Sequence, residues 1–379
     1  MNLVDVLKQL QEKNISISLD GDQLKVNAAK GAMTKELMQL LKLHKDELLV
    51  WAKEQQHKVN AAKPIPSRDN DKPLKLSFSQ QRLWFVEQLA PGNATYNVPA
   101  AIILTGELKV DILQAVLNTL VQRHEALRTA FIDNDGEAEQ RIYDDVEVSL
   151  NIEVCDLALS DKDALLKLAA AELLTAFDLS QAPLFRVRVL KLKTETEQTP
   201  QHLLLLNLHH IITDGWSLKI IKEELFNCYS AISKKQSPNL PLIKRPYFQY
   251  IKDVPDRVKN KAYSQNINYW KSKLEGIQNI NFPYDYARPK AINFCGKKHF
   301  FFINERLFKK LNCFSAQQNV TPFVLIATIL NILLSRSCRQ EDIVIGFPIS
   351  GRSEPGLEQT VGLFVNSLVL RNRVYSNKT

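Results

Sequence analysis

Apolar and polar positions recur along this chain with two different periods, and the switches between them outline its elements. Leu3, Val6, Leu7 and Leu10 repeat at three- and four-residue spacing, which predicts an amphipathic helix over residues 2–14. The next segment, ISISLDGDQLKV, alternates with period two around Asp20-Gly21-Asp22 and predicts a β-hairpin. Thr34 then caps a second helix bearing Leu37, Leu40, Leu41, Leu48, Leu49 and Trp51 at helical intervals. That pattern dissolves into QQHKVNAAKPIPSRDNDKP, a polar, Pro-containing stretch with the character of a linker. Residues 1–57 are therefore expected to form a separate small domain and residues 58–73 a linker.

From Leu74 onward helices and strands alternate, the mark of a mixed α/β domain. SQQRLWFVEQL and residues 110–124 read as helices; AAIILTG, RIYD and LFRVRVLKL read as strands. LLLLNL reads as a buried strand, followed at once by the helix WSLKIIKEELFNCYSAI with Leu218, Ile221, Leu225 and Tyr229 on one face. After a Pro- and Lys-rich passage over 238–260, a second α/β unit is expected. Its parts are HFFFIN as a strand, helices from Glu305 and Thr321, and the strands DIVIGFPI and SLVLR. No glycine-rich phosphate loop and no strict repeat interrupts this order.

Composition narrows the function classes. The net charge of +8 comes mostly from lysines scattered along helical faces, which argues for a surface that meets acidic partners and against nucleic acid. The five cysteines are odd in number and never form a C-x-x-C pair, so reduced thiols in a cytoplasmic protein are expected, with neither a disulfide framework nor a metal site. The N-terminus has no apolar signal core, and the most apolar run, 324–334, is short and interrupted by Thr328 and Asn331; no membrane span is predicted.

The strongest chemical signal is LHHIITDGWS, residues 208–217, where an apolar strand meets an amphipathic helix through a turn of His, Asp and Gly. Polar residues at such a junction usually face a cleft. By itself the His-x-x-x-Asp spacing is equally compatible with a buried histidine satisfied by backbone and an aspartate that only caps the helix. Adjacent histidines point in different directions, so His209 and His210 are poor joint metal ligands.

Further segments change that balance. LSFSQQRLWFVEQL (76–89), RHEALRTAF (123–131), LHHIITDGWS and VGLFVNSLVLR (361–371) resemble, in order, the first, second, third and fifth motifs of nonribosomal peptide synthetase condensation domains. FDLSQAPLFRVRVL (177–190) is similar to a further family stretch. The fourth motif is partial in PYFQYIKD: Tyr247 and Tyr250 fit, but Gln249 and Asp253 stand where an acid and a Trp are expected. The resemblance implies a two-lobed, chloramphenicol-acetyltransferase-like α/β (α+β) fold, with residues 74–250 as the N-terminal lobe and 251–379 as an incomplete C-terminal lobe. It implies amide-bond formation between an upstream peptidyl or aminoacyl thioester and a downstream aminoacyl amine, both carried on the phosphopantetheine arms of donor and acceptor carrier proteins. No cofactor bound to the chain is implied. The RLW form of the first motif is more like domains taking an L-configured donor.

Residue by residue, the resemblance makes His210 catalytic, with His209 beside it. An imidazole titrating near neutrality can either take a proton from the acceptor amine or hold the free amine in line. Gly215 either only makes the turn or lets its N–H stabilise a tetrahedral oxyanion at the helix start. Asp214 is expected to be structural, paired by family resemblance with Arg128, while Trp216, Ser217, Asn366 and Ser367 are expected to line the substrate tunnel. The small N-terminal domain resembles TubC-type helix-hairpin-helix docking domains, which capture the tail of the preceding subunit. Its hairpin offers a strand edge, and Lys25 and Lys30 offer charge to an acidic peptide or are simply solvated. Two rivals are a free acyl-coenzyme A transferase, which shares His-x-x-x-Asp, and a noncatalytic docking fragment.

Overall fold

The computed structural model describes residues 16–20, 23–27, 34, 38, 40–41, 44–45, 47–49, 74–193, 199–287, 299 and 301–375. The chain divides into two compact units, Met1–Asp69 and Asn70–Thr379. In the first, β1 (Ser16–Asp20) and β2 (Gln23–Asn27) form an antiparallel hairpin with Ser18 opposite Lys25. Helical hydrogen bonds from Met38 to Thr34, His44 to Leu40 and Leu48 to His44 build the helix that Thr34 opens, and Leu48 is fully buried. The helix expected over 2–14, the linker and Lys30 lie outside the described residues.

The second unit opens with β3 (Leu74–Lys75) and α1 (Phe78–Leu89). Ser77 and Gln80 close a reciprocal capping box at the start of α1, and this satisfies its first free N–H groups. Next come β4 (Asn97–Thr105), α2 (Val110–Arg123), β5 (Thr129–Asn134), β6 (Glu137–Ile142), β7 (Leu150–Val154) and α3 (Lys162–Leu174). The strands β8 (Phe185–Lys191) and β9 (Gln201–His209) and the 19-residue α4 (Gly215–Ser233) follow. A four-stranded sheet has the order β4-β9-β8-β7, antiparallel except for the β8–β7 pair, beside a three-stranded sheet β3-β6-β5.

The continuous apolar run of β9 is explained by burial on both of its faces. Leu204, Leu206 and Leu208 join a core with Leu117 and Leu120 of α2 and Ile221 and Leu225 of α4. Leu203 and Leu205, on the alternate face, pack with Leu165 of α3, Leu190 and Leu192. A strand held between two cores ends at a fixed point, and that end is His209.

The remaining elements are α5 (Tyr247–Lys252), α6 (Val254–Val258), α7 (Lys261–Leu274), α8 (Glu305–Gln317), α9 (Pro322–Cys338) and an antiparallel pair, β10 (Asp342–Ile349) with β11 (Asn366–Arg373). Two sequence expectations change. RIYD contributes only its first half to a strand, because β6 ends at Ile142. The described residues of HFFFIN, 299 and 301–304, form no strand: they are irregular, Phe301 and Phe302 are exposed, and no described strand pairs with them. No single helix among the described residues is long and apolar enough to cross a membrane.

Candidate active site

The end of β9 is pinned from both sides. The N–H of His209 donates to the carbonyl of Leu184 at 3.0 Å, and that of His210 to the carbonyl of Tyr96 at 2.8 Å. The chain then makes one 3-10 turn, His210–Ile212, before Asp214 caps α4 by accepting from the N–H of Ser217 at 2.7 Å. This capping is what a helix start requires of an aspartate.

The two histidines have different surroundings. His209 is buried edge-on to Tyr96 and Phe177, and its Nδ1 accepts from the N–H of Ile211 at 3.2 Å. Burial, together with the neighbouring charge of His210, pulls its pKa down to about 4. Burial of this kind favours the neutral imidazole, and His209 is not among the residues lining the cavity that His210 faces. His210 instead lines a cavity of about 540 Å³ with Ser79, Arg82, Tyr96, Val365 and Ser367 among its walls. Its Nδ1 is buried without a hydrogen-bond partner among the described residues.

Asp214 is buried, but Arg128 is not its partner. Its carboxylate meets Nη2 of Arg352 at 3.2 Å and accepts from the N–H of Phe364 at 3.1 Å. Arg128 is turned to the carbonyl of Tyr143, at 2.5 Å, and to Asp144 at 3.5 Å. The loop between β10 and β11 thus supplies the cation. Burial draws the Arg352 guanidinium below its ordinary pKa, and the charge of Asp214 opposes that shift. Arg352 also donates to the carbonyls of Leu357 and Thr360, at 2.7 Å each, and lies 4.0 Å from the centre of the Phe364 ring.

Ser217 belongs to this network and not to a tunnel wall. Fully buried, its Oγ donates to the carbonyl of Gly362 at 2.8 Å and accepts from the N–H of Gly362 and from Arg352. Trp216 is half-exposed and donates from Nε1 to the carbonyl of Glu358 at 2.9 Å, so it too ties α4 to the loop. Trp216 and Gly215 are not among the residues lining the His210 cavity, although a Cβ at Gly215 would meet nothing within 4 Å. Ser367 is on the wall; Asn366 is not among the lining residues but accepts from Arg82, which is, at 3.0 Å.

Two glycines make the close approach of the loop possible. At Gly362 a Cβ would lie 2.3 Å from the Tyr247 ring, and at Gly351, with φ +66, it would lie 1.9 Å from the carbonyl oxygen of Phe364. Tyr247 is buried and donates to the carbonyl of Leu363 at 2.8 Å; burial pushes its phenol well above the ordinary pKa. Asp253 and Gln249, the departures from the fourth motif, are hydrogen-bonded to each other at 2.9 Å. Asp253 also pairs with Arg245, which together with Arg257 grips Glu354 of the same loop.

Sequence reasoning passed over Arg352, Arg82 and Tyr96. A buried carboxylate demands a donor or a cation, but 49 lysines and arginines offered themselves and no spacing singled out the one in GFPISGR. Tyr96 had no signal beyond its closeness to a motif, and Arg82, the Arg of RLW inside the first motif, was read only for donor preference.

The histidine at the end of β9, on the wall of a cavity, and the aspartate four residues on, locked in an ion pair with Arg352, make up the candidate site. Residues 70–379 match the condensation domain family model and residues 3–54 the TubC N-terminal docking domain. The chain belongs to the condensation domain family. It is 35% identical over 279 residues to tyrocidine synthase 3 of Brevibacillus parabrevis, covering 73% of this chain and 4% of that protein. To bacitracin synthase 2 of Bacillus licheniformis it is 31% identical over 381 residues, covering 100% of this chain and 14% of that protein. The chain thus spans a small part of these relatives. Among solved structures, the first condensation domain of the calcium-dependent antibiotic synthetase, in complex with a substrate analogue, is similar in fold. That match has a TM-score of 0.66 at 18% identity, over 81% of this chain and 71% of that one. A condensation domain that mediates chain release from the enacyloxin polyketide synthase also has a TM-score of 0.66, at 20% identity, over 100% of this chain and 73% of that one.

Proposed function

We propose that this chain forms the amide bond between a donor acyl thioester and the amine of an acceptor aminoacyl thioester, each carried on the phosphopantetheine arm of a carrier protein. The observation that carries this reading is the placement of His210 on the wall of a cavity of about 540 Å³, directly after a strand end pinned on both sides. With Nδ1 buried, Nε2 is the ring nitrogen left for a ligand. An α-amine has a reference pKa of about 8, so at neutral pH only its free-amine fraction, which has given its extra proton to solvent, can attack. His210 holds that free amine in line and takes one proton from it as the C–N bond forms. Residues 74–250 and 251–379 act as two lobes, and the Asp214–Arg352 pair holds the motif turn of one to the loop of the other.

Residues 1–57 dock the tail of an upstream subunit on the edge of the β1–β2 hairpin, with Lys25 and Lys30 meeting acidic side chains. The free thiols of Cys155, Cys228, Cys313 and Cys338 suit a reducing cytoplasm.

The test is turnover with loaded donor and acceptor carrier proteins, scored as dipeptidyl product. Wild-type chain is expected to form product and folded His210→Ala to lose about 10²–10⁴-fold, the usual weight of a general base. Wild-type yield from His210→Ala, or no product from the wild type with any cognate pair, overturns the reading.

A further inference from the structure

The assignment of an oxyanion donor to the N–H of Gly215 finds no support in the lining of the cavity, which does not include Gly215. A polar residue of that wall offers an alternative. Tyr96 lies on it, its carbonyl takes the N–H of His210 at 2.8 Å, and its ring stands edge-on to His209 at 6.4 Å between centroids. Backbone and ring are therefore fixed relative to the catalytic histidine by contacts that do not use the phenol oxygen. That hydroxyl makes no hydrogen bond to any described residue, whereas the Ser79 hydroxyl donates to the carbonyl of Val365 and the Arg82 guanidinium is bound to Ser79 and Asn366. Much of the remaining wall is apolar, formed by Leu83, Phe85, Val86 and Leu363. Beside an apolar wall the hydrogen bond of a fixed donor is strengthened.

We propose that Tyr96 is a further catalytic residue, whose hydroxyl donates a hydrogen bond to the oxyanion formed when the amine attacks the thioester. The proposal rests on the amide-forming reading above. In the step, the amine lone pair forms the C–N bond, the carbonyl π pair moves onto oxygen, and Tyr96 stabilises that charge without giving up its proton. His210 takes the amine proton. As the carbonyl re-forms, the C–S bond breaks, the thiolate leaves with its electron pair, and the proton on His210 returns to it, giving amide and free thiol.

Tyr96→Phe in the full chain removes the hydroxyl and keeps the ring and the backbone carbonyl. The expected result is a fall in kcat of about 10²–10³-fold with little change in KM, the size measured for loss of one oxyanion donor. Two pantetheine-linked probes separate this role from a structural one: an alanyl difluoromethylene ketone, in which CF₂ joins the carbonyl carbon to the arm and whose hydrate mimics the tetrahedral species, and the corresponding amide, which mimics the ground state. Tyr96→Phe should weaken the ketone by a factor similar to the loss in kcat/KM and leave the amide unchanged. Equal weakening of both probes, or unchanged affinity and rate in the folded variant, overturns the proposal while leaving the reading of His210 intact. Failure of the wild-type chain to bind either probe overturns both.

Discussion

Asp214 and Arg352 are 138 positions apart in the chain, and their charged groups are 3.2 Å apart, both buried. The aspartate that completes the His-x-x-x-Asp turn is therefore neutralised by a different part of the chain, the loop that follows β10. Its carboxylate also caps α4 and receives the N–H of Phe364. One side chain fixes the helix start, the loop and the turn bearing His210 together.

Removing one partner of a buried pair leaves the other uncompensated. Asp214→Ala and Arg352→Ala should each cost about 3–5 kcal/mol of stability. A double-mutant cycle by denaturant unfolding should show strong coupling between these two. The same cycle with Arg128→Ala in place of Arg352→Ala should be additive, since Arg128 faces Tyr143 and Asp144.

His209 predicts an acid-sensitive stability. Its pKa is about 4 in the folded chain against an ordinary value of 6.5. Between these values the unfolded chain binds a proton that the folded chain refuses, so stability rises with pH through this window and is flat above it. The loss on acidification from pH 6.5 to 4 should reach about 3 kcal/mol, following from about 1.4 kcal/mol per pH unit. His209→Asn, whose side-chain oxygen can still accept from the N–H of Ile211, should remove that slope in unfolding curves taken across the window.

The glycines of the loop should be as intolerant as the ion pair. Gly362→Ala drives a methyl group into the Tyr247 ring, and overpacking of this kind costs about 1–3 kcal/mol. Tyr247→Leu should destabilise the wild-type chain, through the lost hydrogen bond to Leu363, yet partly relieve Gly362→Ala. Thermal unfolding of the four proteins checks this, and a simple sum of the two losses would contradict the steric account.

Local pattern made much of this architecture legible. LLLLNL announced a strand buried on both faces, and Leu218, Ile221 and Leu225 announced the helix after it, because both periods are written directly in residue type. The Ala-, Leu- and Lys-rich segment of α3 was equally legible by propensity, though not singled out. HFFFIN misled for a physical reason: β-forming residues make a strand only where another strand takes their hydrogen bonds. His210 was legible through its motif. Arg352 was not, since which distant cation reaches Asp214 depends on how β10 and β11 carry the loop back, and no local spacing encodes that.

Helix α9 leaves an apolar face in water. Its sequence is rich in apolar residues, yet among its residues only Asn331 and Cys338 are buried, and Val324, Ile326, Ile329 and Leu333 are exposed. Phe308 and Phe314 of α8 are exposed as well. Apolar surface of this extent is normally covered by protein, because each Å² removed from water is worth about 25 cal/mol. The adjoining β10–β11 ribbon, with no third described strand, adds unpaired backbone groups. The 379-residue chain should therefore associate with itself as concentration rises and bind a hydrophobic dye such as ANS. Replacing Ile326 and Leu333 together by lysine should reduce both effects without lowering the unfolding midpoint, since neither side chain is buried. Sedimentation velocity over a hundredfold concentration range provides the measurement. A monomer throughout, with no dye bound, would mean that this face is covered in solution by part of the chain itself.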